Sequence, residues 1–362
     1  MKTIIAVPDF TRKAHLSRVL PQLLKKISGE DIEIILATGL HHPPTRQEIK
    51  RNLGNIPGEI KISVHNYKKG SVMYFGKTKQ NVPVYLNKKL KTAASVITVG
   101  VVEPHLYAGY SGGTKVVAIG LAGEKTINFT HHPRFLDNTG TSICSIKNNP
   151  FRDFIKEAAS FIPVKYSINI VNDEKGNLLK IFEGDPGSSY KKAVDYSKKI
   201  FEKKINQSFD IIICDIPHTK AVNIYQASRA FNYIANTRKN VLNENALVLV
   251  KAGLLEGFGK GLGEKRFKNK MLSMKNPKKT LSGIKKRGCL AGEHRAYMVL
   301  KAMTKARLGF ISQKSSLYNT RGVPFLFFKN LKEANYFIKK TYGKLPQILY
   351  LKNAFTSILV KN

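Results

Sequence analysis

Asp9 with Arg12, His41, His105 and Lys115 are the residues of this chain whose types and spacing could do chemistry. Two imidazoles facing one substrate can act as an acid/base pair, because their ordinary pKa lies near working pH. A guanidinium such as Arg12 suits a carboxylate or phosphate, although Asp9 and Arg12 are also close enough in sequence for a local ion pair capping the next helix. Beside Lys115, Ser111-Gly112-Gly113 forms a loop whose amides could approach an anion, and a helix starting just after Lys115 would add its positive dipole end. His131 and His132 lie sixteen and seventeen residues past Lys115, so one of them could return to the loop as a metal ligand. No HExxH and no paired carboxylate completes an ordinary zinc or iron site, so a metal there needs ligands from outside the chain. Neither glycine cluster is a nucleotide fingerprint: Thr114 stands where the Walker A pattern needs glycine, and residues 257–263, GFGKGLG, fail GxGxxG.

The elements that must position these residues are short apolar strands. Thr3–Val7, Glu33–Ala37 and Ser95–Val102 each read as a strand that ends in one of these polar loops, and an open α/β sheet places ligands at the carboxyl ends of its strands. Helices are expected at 15–27, 125–132, 151–161 and 188–204, with a capping box from Thr45 and Glu48 opening another. A second strand-helix pattern starts at Asp210–Cys214 and recurs at 246–250, 308–312, 324–328 and 347–351. Its helix over Tyr225–Asn236 would place Tyr225 and Arg229 on one face, with Gln226 beside them. The expectation is an α/β chain of two domains, residues 1–205 and 206–362, with mixed or parallel sheets flanked by helices and the active site in the interdomain cleft.

The whole-chain figures narrow the classes. With 362 residues and 42% hydrophobic content the chain can build two cores. No apolar run approaches a membrane span, and the opening MKTIIAVPDF breaks at Pro8 too early for a signal peptide, so a cytoplasmic location is expected. Cys144, Cys214 and Cys289 are widely spaced, which argues against a disulfide frame or a cysteine zinc site. A net charge of +37 is compatible with nonspecific nucleic-acid binding. Lysines are nevertheless scattered through almost every segment, as compositional drift would leave them.

Taken together, the motifs resemble the nickel-pincer lactate racemase family. They are Asp9-Phe-Thr-Arg12, Thr38-Gly-Leu-His41, Glu103-Pro-His105, Ala108-Gly-Tyr-Ser-Gly-Gly-Thr-Lys115, His131 and Tyr225-Gln226. The resemblance implies a racemase or epimerase of a 2-hydroxy acid, with a nickel pyridinium-3,5-bisthiocarboxylate mononucleotide as cofactor and cofactor-synthesis enzymes acting upstream. It implies that Lys115 tethers this group, with Asp9, Ser111, Gly112 and Gly113 around it, and that His131 binds the nickel. His41 and His105 would be the acid/base pair, and Arg12, Tyr225, Gln226 and Arg229 would meet the substrate. The chain departs from the pattern at Arg229, where the lactate enzyme has lysine, at His42 for arginine, at Arg152 for histidine, and in having no tryptophan. Those departures point away from lactate as substrate, and the strong positive charge suits a larger or more anionic hydroxy acid. The alternative is an inactive homologue that binds nucleic acid or a partner through its basic surface.

Overall fold

A computed structural model describes residues 2–27, 31–289, 293–319, 322–343 and 345–361. The contacts of the chain divide it into two units, residues 1–130 with 146–200 and residues 131–145 with 201–362.

The first unit is built on a sheet in the order Leu178–Gly184, Val164–Asn172, Ser95–Val101, Lys2–Pro8, Asp31–Ala37, Lys61–Val64. All neighbours run parallel except Leu178–Gly184, which is antiparallel. Lys2–Pro8 and Asp31–Ala37 are buried beyond their first residues, as expected of near-continuous apolar strands covered on both faces. Leu16, Val19, Leu20 and Leu23 of the helix Leu16–Lys26 pack into the same core as Ile5, Ile34 and Val99. The strand order turns at Lys2–Pro8, with Asp31–Ala37 on one side and Ser95–Val101 on the other. Loops leaving three adjacent strands at such a switch point open a crevice at their carboxyl ends. These are the loops that carry Asp9, His41 and His105.

The second unit holds a parallel sheet in the order Leu326–Phe328, Arg307–Ile311, Leu242–Lys251, Phe209–Cys214, Ile348–Leu351. Ile211, Ile213, Leu247 and Leu249 form its core with Ala334 and Ile338 of the helix Leu331–Tyr342. The α/β class with parallel sheets flanked by helices therefore holds.

Several expected boundaries move. The helix expected to reach Lys204 ends at Phe201, and Glu202–Ile205 pairs instead with Ile358–Lys361. Residues 131–145, placed above with the first domain, belong to the second unit. Asp137 shows why: it accepts from the Tyr297 hydroxyl at 2.7 Å and pairs with Lys285 at 2.7 Å and Lys301 at 3.2 Å. Among the described residues, no helix is long and apolar enough to cross a membrane.

Candidate active site

In the first unit, Asp9 reaches across its loop to His41 rather than to Arg12. Its Oδ2 lies 2.5 Å from His41 Nδ1, and its Oδ1 accepts from the Thr11 amide and hydroxyl. Burial pushes the Asp9 carboxyl up, but the His41 bond and charge, Thr11 and Arg12 outweigh it and hold the group below its ordinary value. An ionised carboxylate only accepts, so His41 Nδ1 donates, and in the neutral ring Nε2 keeps the lone pair. Arg12 donates through Nε to Glu103 Oε1 at 2.6 Å. The local Asp9–Arg12 ion pair is thus replaced by two longer-range pairs, and Glu103 enters the site as a partner that residue spacing did not assign.

His105 is held differently. It lies in a small hairpin of Pro104–His105 with Gly109–Tyr110, and its Nδ1 accepts from the Tyr107 and Ala108 amides, each at 3.2 Å. Backbone amides can only donate, so the His105 proton sits on Nε2. The Phe151 and Tyr107 rings lie 6.4 and 5.8 Å from the imidazole, centroid to centroid. Asn149 fixes this wall by donating to the Tyr107 carbonyl while its Oδ1 caps the helix Pro150–Ser160.

The glycine loop serves the fold more than a ligand. Ser111 donates its amide to the Glu103 carbonyl and its hydroxyl to the Val101 carbonyl, and the Gly113 amide donates to Asn169 Oδ1 at 2.8 Å. Those two amides are therefore not the anion cradle expected from the sequence. Gly112 and Gly113 have φ of +78° and +55°, and a Cβ would meet Val102 at 2.4 Å or the Tyr190 ring at 2.8 Å. Both the backbone conformation and the close packing require glycine. The helix after Lys115 is also shorter than expected, ending at Ala118, too short to build a substantial dipole.

Lys115 stands at the start of that turn. Burial foremost, with the Arg12 and Arg152 charges, brings its amine down to about 7 against the opposing pull of Asp9 and Glu103. An amine with that pKa is substantially neutral and nucleophilic at pH 7. Arg152, 2% exposed, lies flat over the Tyr190 ring with its guanidinium carbon 3.8 Å from the centroid. Its Nε and Nη1 are buried without a hydrogen-bond partner. Leaving a buried charge uncompensated costs about 3–5 kcal/mol, whereas a desolvated cation–π contact returns about 2 kcal/mol. The stacking alone does not offset the burial of this charge.

The remaining expected residues lie in the second unit. The helix expected over Tyr225–Asn236 is broken at Ser228 into Ile224–Ala227 and Arg229–Ala235, where the Ser228 hydroxyl donates to the Tyr225 carbonyl. Tyr225 and Arg229 meet different neighbours. Tyr225 packs edge-on to Phe267 and under the Arg295 guanidinium, while Arg229 lies over Phe355. Gln226 takes its place in the capped first turn, its amide donating to Asn223 Oδ1. His131 neighbours His294, ring centroids 5.1 Å apart. Burial first, then the charges of His131 and Arg295, hold His294 well below the ordinary histidine range. A lone histidine inside a helix gave no signal of that pairing. Among the described residues no cluster of three or more His, Cys, Asp or Glu could hold a metal by itself.

The family model of the lactate racemase N-terminal domain matches residues 1–142, which carry the three loops and Lys115. Over 268 residues the chain is 28% identical to the lactate racemase of Lactiplantibacillus plantarum, an alignment covering 71% of this chain and 61% of that protein. Over these stretches the chain is similar to lactate racemases. The lactate racemase of Thermoanaerobacterium thermosaccharolyticum is 24% identical over 291 residues, 79% of this chain and 66% of its own length. The matched stretches thus span less than two thirds of either relative. The fold agrees with that of the lactate racemase apoprotein from the same Thermoanaerobacterium, at TM-score 0.90 and 21% identity over 99% of this chain and 86% of that one. A protein from Thermotoga maritima superposes with TM-score 0.74 and 17% identity over 100% of this chain and 94% of its own.

Proposed function

We propose that the chain is a racemase or epimerase of a small 2-hydroxy acid working with a nickel-pincer nucleotide. The observation that carries the reading is the pair of histidines in complementary tautomers, His41 with a lone pair on Nε2 and His105 with a proton there. They belong to the same unit as a lysine whose amine titrates at about 7. The donors present fit the cofactor: a largely neutral Lys115 amine suits attachment of an acyl or thioacyl group, and the His131 imidazole supplies one nitrogen donor to a metal whose other ligands come from the pincer. When bound, that group supplies a site that takes a hydride from the substrate carbon and returns it to the opposite face.

The chain's own residues then handle protons and position. His41 Nε2 accepts the substrate hydroxyl proton, and the Asp9 carboxylate stabilises the imidazolium that results. His105 Nε2 holds the proton the reverse direction needs. Arg12, steadied by Glu103, holds the substrate carboxylate. The resemblance to the lactate racemases further assigns Tyr225, Gln226 and Arg229 to the substrate and His131 to the nickel.

Nickel content after co-expression with cofactor-making enzymes, with turnover of a panel of chiral 2-hydroxy acids in heavy water, tests this reading. Stoichiometric nickel and an inverted product carrying little solvent deuterium are expected, because the hydride returns from the substrate's own carbon. Extensive deuterium at that carbon would indicate a carbanion route instead. Metal-free protein that shifts RNA even at high salt would establish the basic-binder alternative.

A further inference from the structure

Around Lys115 the charges do not balance. Arg12, Lys115 and Arg152 are close enough that both guanidiniums disfavour the charged amine. The opposing acids are already engaged, Asp9 with His41 and Glu103 with Arg12. Arg152 is the more informative of the three, because its Nε and Nη1 are buried with nothing to donate to.

Its placement is also fixed from several sides. Tyr190, beneath the guanidinium, donates its hydroxyl to the Tyr110 carbonyl at 3.1 Å, and its ring fills the space a side chain at Gly113 would need. The Arg152 amide is tied to Asn149 at the start of its helix, and that helix packs on the turn Lys115–Ala118. A long cationic side chain held still, dry and short of acceptors is arranged for an acceptor brought from outside.

We propose that Arg152, on the helix that packs against the Lys115 turn, forms a built oxyanion subsite, which takes a phosphate or carboxylate group of the small ligand bound in this unit. It rests on the reading that the unit binds such a ligand, and adds the residue that recognises its anionic end. The two available sources are the phosphate of a mononucleotide and a second carboxylate on the hydroxy acid.

The test uses the purified, metal-free full chain and calorimetric titration with inorganic phosphate, nicotinate mononucleotide, the corresponding unphosphorylated nucleoside, a 2-hydroxy dicarboxylate and a 2-hydroxy monocarboxylate. Wild type should bind the mononucleotide at least tenfold tighter than the nucleoside, or the dicarboxylate at least tenfold tighter than the monocarboxylate. Arg152→Gln should erase that preference, with Arg152→Lys intermediate, and the pair that changes identifies the source. A folded Arg152→Gln protein that keeps the preference overturns the proposal, as does a wild type without one. Thermal unfolding of wild type alone provides a check independent of the variants: phosphate should raise the midpoint above chloride at equal ionic strength, and equal midpoints overturn the subsite. Nickel retention after co-expression is scored separately, so a wild type that retains nickel but shows no oxyanion preference sinks this inference and leaves the racemase reading standing.

Discussion

His41 and His105 follow the strands on either side of Lys2–Pro8, yet the fold treats their imidazoles in opposite ways. His41 has a side chain 65% exposed and is gripped at Nδ1 by a carboxylate. His105 lies in a hairpin against Tyr107 and Phe151, with Nδ1 accepting from two amides. The carboxylate accepts from Nδ1 at His41, while two N–H groups donate to Nδ1 at His105, so the neutral rings carry their protons on opposite nitrogens. Two residues of one type, both following a strand, therefore differ in the nitrogen they leave free, an Nε2 lone pair at His41 and an Nε2–H at His105. The difference teaches that a matched pair of bases in a reversible reaction need not be a symmetric pair at rest.

The severest way to break this comparison is to remove each ring. His41→Ala and His105→Ala should each lower kcat by about 10³-fold or more in nickel-loaded protein, with the metal still bound, while His131→Ala should release nickel. Unchanged turnover in His105→Ala would remove that residue from the mechanism. Asp9→Asn comes next, with a fall in kcat of about 10²-fold, since an amide cannot stabilise the imidazolium of His41 as a carboxylate does. Nitrogen-15 chemical shifts of the histidine rings sharpen the same point directly: the proton should be on Nδ1 at His41 and on Nε2 at His105. Glu103→Gln should act mainly on KM, by about tenfold, because it loosens the guanidinium that holds the substrate. Lys115 should react with an amine-directed reagent with a midpoint near pH 7, far below the other lysines.

The smallest effect separates a catalytic carboxylate from a structural one. Glu33 is buried at the sheet and paired with Lys2 and Lys89, with Ser63 donating to it. Burial raises its pKa, but the bonds from Lys2, Lys89 and Ser63 prevail and bring it down to about 2. The folded value lies below the ordinary 4.5, so this contribution is complete above pH 4.5 and fades as pH falls through about 2. Glu33→Gln should cost on the order of 2 kcal/mol in urea unfolding at pH 7 and flatten the acid limb of stability, without altering kcat.

Much of this was legible in the chain because it is local. Apolar runs such as Thr3–Val7 specify buried parallel strands, and the Thr45–Glu48 box forms as its spacing requires. What escaped is what depends on partners far away in sequence. Asp9 finds His41 over 32 residues and Arg12 finds Glu103 over 91, distances at which spacing carries no signal. Ser228 breaks a helix that periodicity alone would continue, because its hydroxyl competes for the Tyr225 carbonyl. The loop glycines looked like a phosphate cradle, yet they are required by Val102, Asn169 and Tyr190, contacts that only the assembled fold supplies. The lysine was visible as a flank of that loop, and its low pKa became visible only once the fold buried it with Arg12 and Arg152 nearby.

The excursion of residues 131–145 into the second unit bears on how the gene can be cut. The polypeptide passes between the units after residues 130, 145 and 200, so a single cut releases neither as an intact piece. A fragment starting at residue 201 would lack Asp137, leaving Tyr297, Lys285 and Lys301 without the carboxylate they share. Rejoining residues 131–145 to that fragment through a designed linker is the shortest route to an independently expressed second half.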